Sequence, residues 1–383
     1  MLNAAKQKAR IALTVEYFIF GFLFSSLLSR FPALSEKYNL TEGELSLIPF
    51  FMSIGSLLFM PICGYLISKY GSKKLSAAGF LQISIFALFA IAPNIYSLYI
   101  FCFFYGMAVG CTDVAVNANS LIIERAYKRP IISLFHAFFY VGMAGGSLLS
   151  ILFLIFNAPV EIHFLVVAII SIVSFGIGRL YFLKETPQKA SRISKGKILF
   201  PKGILLLIAA IAFCGRIVEG GISDWSTVYM NNIVKISAVY APIGLTIYAV
   251  FLSIGRFFGD SIRSKYRDDK TLFYSCIITS AGLAVMISTP YVATTIIGLF
   301  ISGLGLANVV PVIYSLAGKA TPNNPGVGLA TVNTLSGTGF LFGPAIIGFI
   351  AEHYTLRISF GYVLALCLIM SYLAYRYMKA NQK

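Results

Sequence analysis

The sequence predicts an all-α membrane protein with 12 transmembrane helices arranged as two pseudo-symmetric six-helix bundles. Three observations lead there. Of 383 residues, 58% are hydrophobic and 11% charged, against roughly 25% charged in a soluble domain, so most side chains must face lipid or one another. Twelve apolar runs are long enough to cross a bilayer, which takes about 20 residues. A local sequence, GCTDVAVNANSL from Gly110, returns as GLANVVPVIYSL from Gly305, as expected when one half of the chain repeats the other.

The twelve runs lie near 11–31, 44–67, 75–93, 96–123, 131–156, 160–183, 203–230, 239–262, 271–289, 291–317, 326–351 and 357–378. The first lacks a small-residue cleavage site and leads straight into the second, so it is expected to stay as a span. The formal net charge of +16 sits on one side of the runs. Lys6, Lys8 and Arg10 precede span 1; Lys69, Lys73 and Lys74 follow span 2; Arg125, Lys128 and Arg129 follow span 4; Arg263, Lys265, Arg267 and Lys270 follow span 8. The opposite loops hold Arg30, Lys37, Lys235 and Arg357. This asymmetry is the positive-inside pattern, which places both termini in the cytoplasm and argues against nucleic acid as the partner of the basic charge. The six cysteines make no CxxC or Cys/His cluster and read as apolar packers, neither disulfide-bonded nor metal-binding.

The longest polar connector, KETPQKASRISKGKILFPK at 184–202, divides the chain into 1–183 and 203–383, six spans each. The echo at Gly110 and Gly305 shares the glycine, an Asp/Asn position at Asp113 and Asn308, a valine and the closing Ser-Leu; SKY also recurs, at Ser68 and Ser264. Between spans 2 and 3, GYLISKYGSKK carries Gly64, Ser68, Lys69, Gly71 and Lys73; after span 8, RFFGDSIR carries Arg256, Gly259, Asp260 and Arg263; span 11 holds GFLFGPAIIG. These stretches resemble the loop signatures and Gly-Pro packing motif of the major facilitator superfamily. More narrowly, DVAVN from Asp113, SLFHAFF from Ser133, VEGGISDW from Val218 and NVVPVIYSLAG from Asn308 resemble the fucose-permease-like branch and its YbjJ-type bacterial inner-membrane members. The resemblance implies a multi-pass protein of the inner membrane that binds a small molecule and works by alternating access, and a monomer is expected. It also implies that the two motif loops gate the cytoplasmic side. One departure stands out: the acid of the first loop, which helps latch the halves in the family, is Ser68 here, which shifts that role toward Asp260 with Arg256 or Arg263.

The polar residues inside the spans carry the chemistry. A carboxylate at mid-bilayer costs about 2.5 to 3.5 kcal/mol on insertion scales unless it is solvated or paired. Asp113, Asn117, Ser120 and Glu124 fall on one helical stripe, and at 1.5 Å per residue Asp113 lies roughly 25 Å from the outer end of span 4. Span 7 offers Arg216, Glu219, Ser223 and Thr227 at similar spacing; span 1 offers Tyr17, Ser25, Ser26 and Ser29; span 10 offers Ser302, Asn308 and Ser315. Spans 1, 4, 7 and 10 line the cavity in the resembled family.

Asp113 has two readings: a proton-coupling carboxyl, protonated when occluded and ionised when wet, or a neutral acid that pins Asn117. The matching acid in the fucose-permease-like branch is assigned to proton coupling. Glu219 either binds substrate or a second proton, or neutralises Arg216 three residues earlier. Asp224 and Trp225 either flank the outer mouth, where they would contact solute, or Trp225 anchors the interface. His136 shuttles protons or packs helices, and Arg30 snorkels, pairs within a loop, or touches substrate. Asn117, Asn308, Tyr248, Asn333, Tyr314, His136 and Arg216 complete the substrate-contact candidates. Mixed acid, amide and aromatic groups suit a small polar solute such as a sugar or sugar derivative; uncoupled facilitation and efflux of drugs or organic ions are the alternatives.

No GxxxxGK[S/T] motif occurs, which argues against an ATP-driven pump. The three histidines, His136, His163 and His353, lie on different spans or loops and form no metal or nucleophile set, so neither an enzyme nor a metal site is expected. No cofactor is implied beyond a proton gradient. A non-transporting sensor would need a signalling domain for which the chain has no segment.

Overall fold

A computed structural model describes residues 2–128, 131–182, 202–321 and 325–381. The polar connector expected at 184–202 lies almost wholly outside them. The described residues form fifteen α-helices and no strand: α1 (Leu2–Leu28), α2 (Phe31–Tyr38), α3 (Glu42–Tyr70), α4 (Ser72–Leu75), α5 (Ala78–Leu88), α6 (Ile95–Tyr127), α7 (Ile132–Ile155), α8 (Val160–Arg179), α9 (Ile204–Asn232), α10 (Ile243–Lys265), α11 (Asp268–Ser288), α12 (Val292–Leu306), α13 (Val309–Ala320), α14 (Pro325–His353) and α15 (Leu356–Ala380). Twelve segments are long and apolar enough to cross a membrane. In lipid a helix is the open-chain answer to hydrogen-bonding every backbone group internally.

Local chemistry sets the helix ends. Thr41 and Glu44 form a reciprocal capping box at the start of α3: the Glu44 N–H donates to Thr41 Oγ1 at 3.2 Å, and the Thr41 N–H donates to Glu44 Oε2 at 3.0 Å. Asn94 accepts from the Ser97 N–H at 2.9 Å to start α6. Glu124, near the end of α6, accepts from the N–H groups of Ile131 and Ile132 at 2.9 and 3.2 Å. It therefore caps α7 and does not extend a wet stripe along α6. Gly71 separates α3 from α4 with φ at +83°, a conformation that suits glycine.

Span 10, expected as one continuous helix, is broken at Ala307–Asn308 between α12 and α13. Pro311 explains the break: it has no N–H to donate to the Ala307 carbonyl four residues back, and its ring crowds that oxygen.

The chain folds as two compact units. One holds α1, α2, α3 from Leu47 on, α4 to α8 and the stretch Ala238–Pro242; the other holds Thr41–Ser46 and α9 to α15. Their internal packing repeats. In the first unit α1 lies against α7 and α8; in the second α9 lies against α14 and α15, the same helices counted six spans later. The α1–α7 crossing is close enough to bring backbone onto backbone, with Gly21 facing the Phe139 carbonyl and Gly142 facing the Phe18 carbonyl.

Two sequence expectations need correction. Arg30 neither snorkels nor faces solute: it is 2% exposed, and its Nε donates to His163 Nδ1 at 3.1 Å while Nη2 donates to the Ala158 carbonyl at 3.4 Å. Nδ1 of His163 is thus the acceptor, and the ring proton sits on Nε2, which faces Ser150 Oγ at 3.5 Å. Burial pulls the Arg30 pKa down to about 10 against the upward pull of Glu161, so the guanidinium stays charged near neutral pH.

The cysteines are not all lone packers either. Cys63 of α3 and Cys111 of α6 are bonded as a disulfide, their Cα atoms 5.3 Å apart, because the two helices place them face to face. Cys102, Cys214, Cys276 and Cys367 are free and buried. Alkylation of the unfolded, unreduced chain should therefore modify four thiols, and six after reduction; six before reduction would show that Cys63 and Cys111 are not bonded.

Candidate functional site

Each unit brings several of the sequence candidates into a polar cluster among its apolar helices. In the first, hydrogen bonds run from α1 to α6: the Tyr17 hydroxyl donates to Asn117 Oδ1 at 2.9 Å, and Asn117 Nδ2 donates to the Asp113 carboxylate oxygen Oδ1 at 3.0 Å and to the Asp113 carbonyl at 2.9 Å. Asp113 and Asn117 are half-buried, whereas Tyr17 is buried. Phe135 stacks on the Tyr17 ring at 5.7 Å and His136 meets it edge-on at 5.2 Å. The i, i+4 spacing read from the sequence puts Asn117 one turn from Asp113, but the tyrosine that orients Asn117 comes from a helix 100 residues away. Ser120 is buried and donates to the Asn117 carbonyl at 2.7 Å, so the polar stripe is confined to Asp113 and Asn117.

The second cluster centres on Arg216 of α9. Its Nη1 donates to Glu219 Oε2 at 3.2 Å, and its Nη2 donates to the Tyr314 hydroxyl at 2.9 Å. Tyr314, on α13, donates in turn to Asn333 Oδ1 of α14 at 2.7 Å. The guanidinium lies over the Phe340 ring, 4.9 Å from its centroid. Four sequence candidates, Arg216, Glu219, Tyr314 and Asn333, are thus brought together. Phe340 is a member that sequence reasoning misses, although it lies inside the glycine-rich stretch of span 11. With side-chain exposures of 20% and 8%, Arg216 and Glu219 form an ion pair that still reaches an open surface. The cluster offers cationic and phenolic donors, carboxylate and amide acceptors, and an aromatic face.

Other candidates lie elsewhere. Trp225 is fully buried, so it is not an interfacial anchor; it packs inside the second unit, because α9 is enclosed by neighbours on all sides along this stretch. Asp224 is 3% exposed and accepts from Ser223 Oγ at 3.3 Å. Tyr248 is buried in α10. Asn308, the sequence counterpart of Asp113, turns its amide oxygen toward Gly259 of α10, where the break in span 10 leaves it. Ser302 is buried, and Ser315 donates to Asp268 at 2.8 Å. Among the described residues no group of three His, Cys, Asp or Glu side chains is placed to hold a metal ion.

The sequence profile of the major facilitator superfamily matches residues 13–292 and, in a second alignment, 225–383. The chain belongs to the major facilitator superfamily. An uncharacterized transporter of this superfamily from Yersinia pestis is 28% identical over 365 residues, 94% of each chain. The glucose/mannose transporter GlcP of Bacillus subtilis is 22% identical over 319 residues, 79% of this chain and 77% of that one. The nucleoside transporter NupG superposes with a TM-score of 0.75 over 98% of this chain and 99% of its own, at 13% identity, a likeness of fold.

The two superfamily loops have distinct geometries. In the first, Lys69 lies over the Tyr70 ring at 5.1 Å, Lys73 Nζ donates to the Phe182 carbonyl at 2.7 Å, and nothing packs where a Gly64 side chain would lie; the Ser68 side chain falls outside the described residues. In the second, Arg263 is 3.9 Å from Asp260 but donates to Asp268 at 3.1 Å. Asp268 also accepts from Ser315 and, at 2.7 Å, from Lys319. Arg263 therefore holds the start of α11 more closely than it holds Asp260. Arg256 is 6% exposed.

Proposed function

We propose that this superfamily transporter moves a small polar solute, a sugar or sugar derivative, across the bacterial inner membrane by alternating access, with uptake driven by a proton bound at Asp113. The observation that carries this reading is the pair of polar clusters, one in each bundle. A sugar ring asks for an aromatic face and for hydrogen-bonding groups of both kinds; Phe340, Arg216, Glu219, Tyr314 and Asn333 supply them in one cluster, Asp113 and Asn117 in the other. The printed substrates of GlcP, glucose and mannose, fall in the same class. Asp113 carries the carboxyl of its cluster and accepts from Asn117 Nδ2 at 3.0 Å, so a proton bound there changes the charge that Asn117 and Tyr17 meet. Glu219, by contrast, is held by Arg216, which favours a solute-binding role. Within the superfamily we place the chain in the fucose-permease-like branch on the stretches from Asp113, Ser133, Val218 and Asn308, acting as a monomer with both termini cytoplasmic.

The test is uptake of labelled glucose, mannose and related sugars by proteoliposomes under an imposed pH gradient, acidic outside. A substrate should accumulate, carry protons inward with it, and lose its accumulation to a protonophore. A sugar that equilibrates without accumulating would leave an uncoupled facilitator. If no sugar moves or raises the melting temperature of the protein, the substrate class is wrong.

A further inference from the structure

We propose that Glu16 is a proton-binding site, separate from both polar clusters, whose charge sets where Arg179 is held. Glu16 lies on α1 beside Tyr17 and is 3% exposed, and neither of its carboxyl oxygens has a hydrogen-bond partner. Its surroundings are dry: Ala9, Ala12, Leu13 and Tyr17 of the same helix are all buried. The last turn of α8 rests against α1 one turn earlier, with Gly178 facing Ala12. With Gly178 opposite Ala12, Arg179 comes one residue later on α8 and Glu16 one turn later on α1, yet the two do not bond. Arg179 Nη2 instead donates to the Lys73 carbonyl at 3.4 Å, its guanidinium lies over Phe80 at 5.7 Å, and its buried Nε has no partner. An unsatisfied acid on α1 and an unsatisfied guanidinium nitrogen on α8 thus lie on two helices that pack against each other.

A buried carboxylate without donors costs far more than the neutral acid, so Glu16 holds a proton in this arrangement. When the proton leaves, the carboxylate must be paired, and Arg179 is the cation within reach. Turning to Glu16 releases the Lys73 carbonyl, in the Gly71–Leu75 turn of the first motif loop, and the Phe80 ring of α5, and leaves the Lys73 amine on the Phe182 carbonyl as the remaining tie. Protonation reverses the exchange. The other titratable groups near this place are Tyr17, which feels the charges of Asp113 and Glu16, and His136 of α7, which meets the Tyr17 ring edge-on.

Infrared spectroscopy of the full chain in nanodiscs tests the site, because a carboxylic acid with no hydrogen bond has a C=O band apart from those of hydrated carboxyls. Wild type should show that band at neutral pH and lose it on alkalinisation; Glu16→Gln should lack it at every pH. Arg179→Met, which keeps the acid, should retain the band to higher pH, since the cation that favours the carboxylate is gone. Hydrogen exchange of residues 71–80, corrected for intrinsic rates, should accelerate several-fold in wild type as the band is lost and stay slow in Glu16→Gln. A band that is missing at neutral pH, survives Glu16→Gln, or titrates alike in wild type and Arg179→Met overturns the proposal, as does loop exchange with the same pH dependence in Glu16→Gln. Neither readout needs solute or gradient, so the outcome is independent of whether transport is proton-coupled.

Discussion

Replacing Asp113 with asparagine should abolish gradient-driven accumulation of solute while leaving solute exchange within about threefold of wild type. The asparagine keeps an oxygen where Asn117 Nδ2 donates at 3.0 Å, so the bonds from Tyr17 through Asn117 persist. What it removes is the titratable proton. One proton per solute at a gradient of one pH unit supports up to about tenfold accumulation, because a pH unit is worth about 1.36 kcal/mol. The mutant ratio should therefore fall from that value to one, measured in proteoliposomes with and without the imposed gradient. Accumulation that survives the substitution would move coupling away from Asp113.

The second large effect is mechanical. Gly142→Val should lower the melting temperature by roughly 5 °C or more and cut the yield of folded protein, since forcing bulk into a tight contact costs about 1 to 3 kcal/mol even where side chains can shift. Here they cannot, because the obstacle is the backbone carbonyl of Phe18, and on the same crossing Gly21 meets the carbonyl of Phe139. The helices would have to separate along their whole contact. Gly361→Ala is the control: nothing lies near the position of the added carbon, and alanine favours the helix by about 0.8 to 1 kcal/mol. Equal losses in a thermal-shift assay would mean that the α1–α7 contact is looser than described.

Much of the architecture is readable in advance because membrane helices are written locally. Apolar run lengths mark the spans, and intrahelical pairs such as Asp113 with Asn117 or Arg216 with Glu219 follow from a spacing of four or three. What stays hidden depends on which helix faces which. Tyr17 reaches Asn117, Arg30 reaches His163 and Cys63 reaches Cys111 only after the bundle has closed. Glu16 escapes notice for the same reason: a single acid near a basic amino-terminal segment says nothing about a dry contact with α8. Trp225 misleads because an indole suits both an interface and a core, and only the neighbours of α9 decide between them. Pro311 is visible, yet Pro49, Pro61 and Pro344 sit inside unbroken helices, so a proline alone does not announce a break.

That break gives the tenth crossing a wrist. With no continuous ladder of hydrogen bonds through Ala307 and Asn308, a push on Leu316 or Ala317 can swing Val309–Ala320 while Val292–Leu306 keeps its seat.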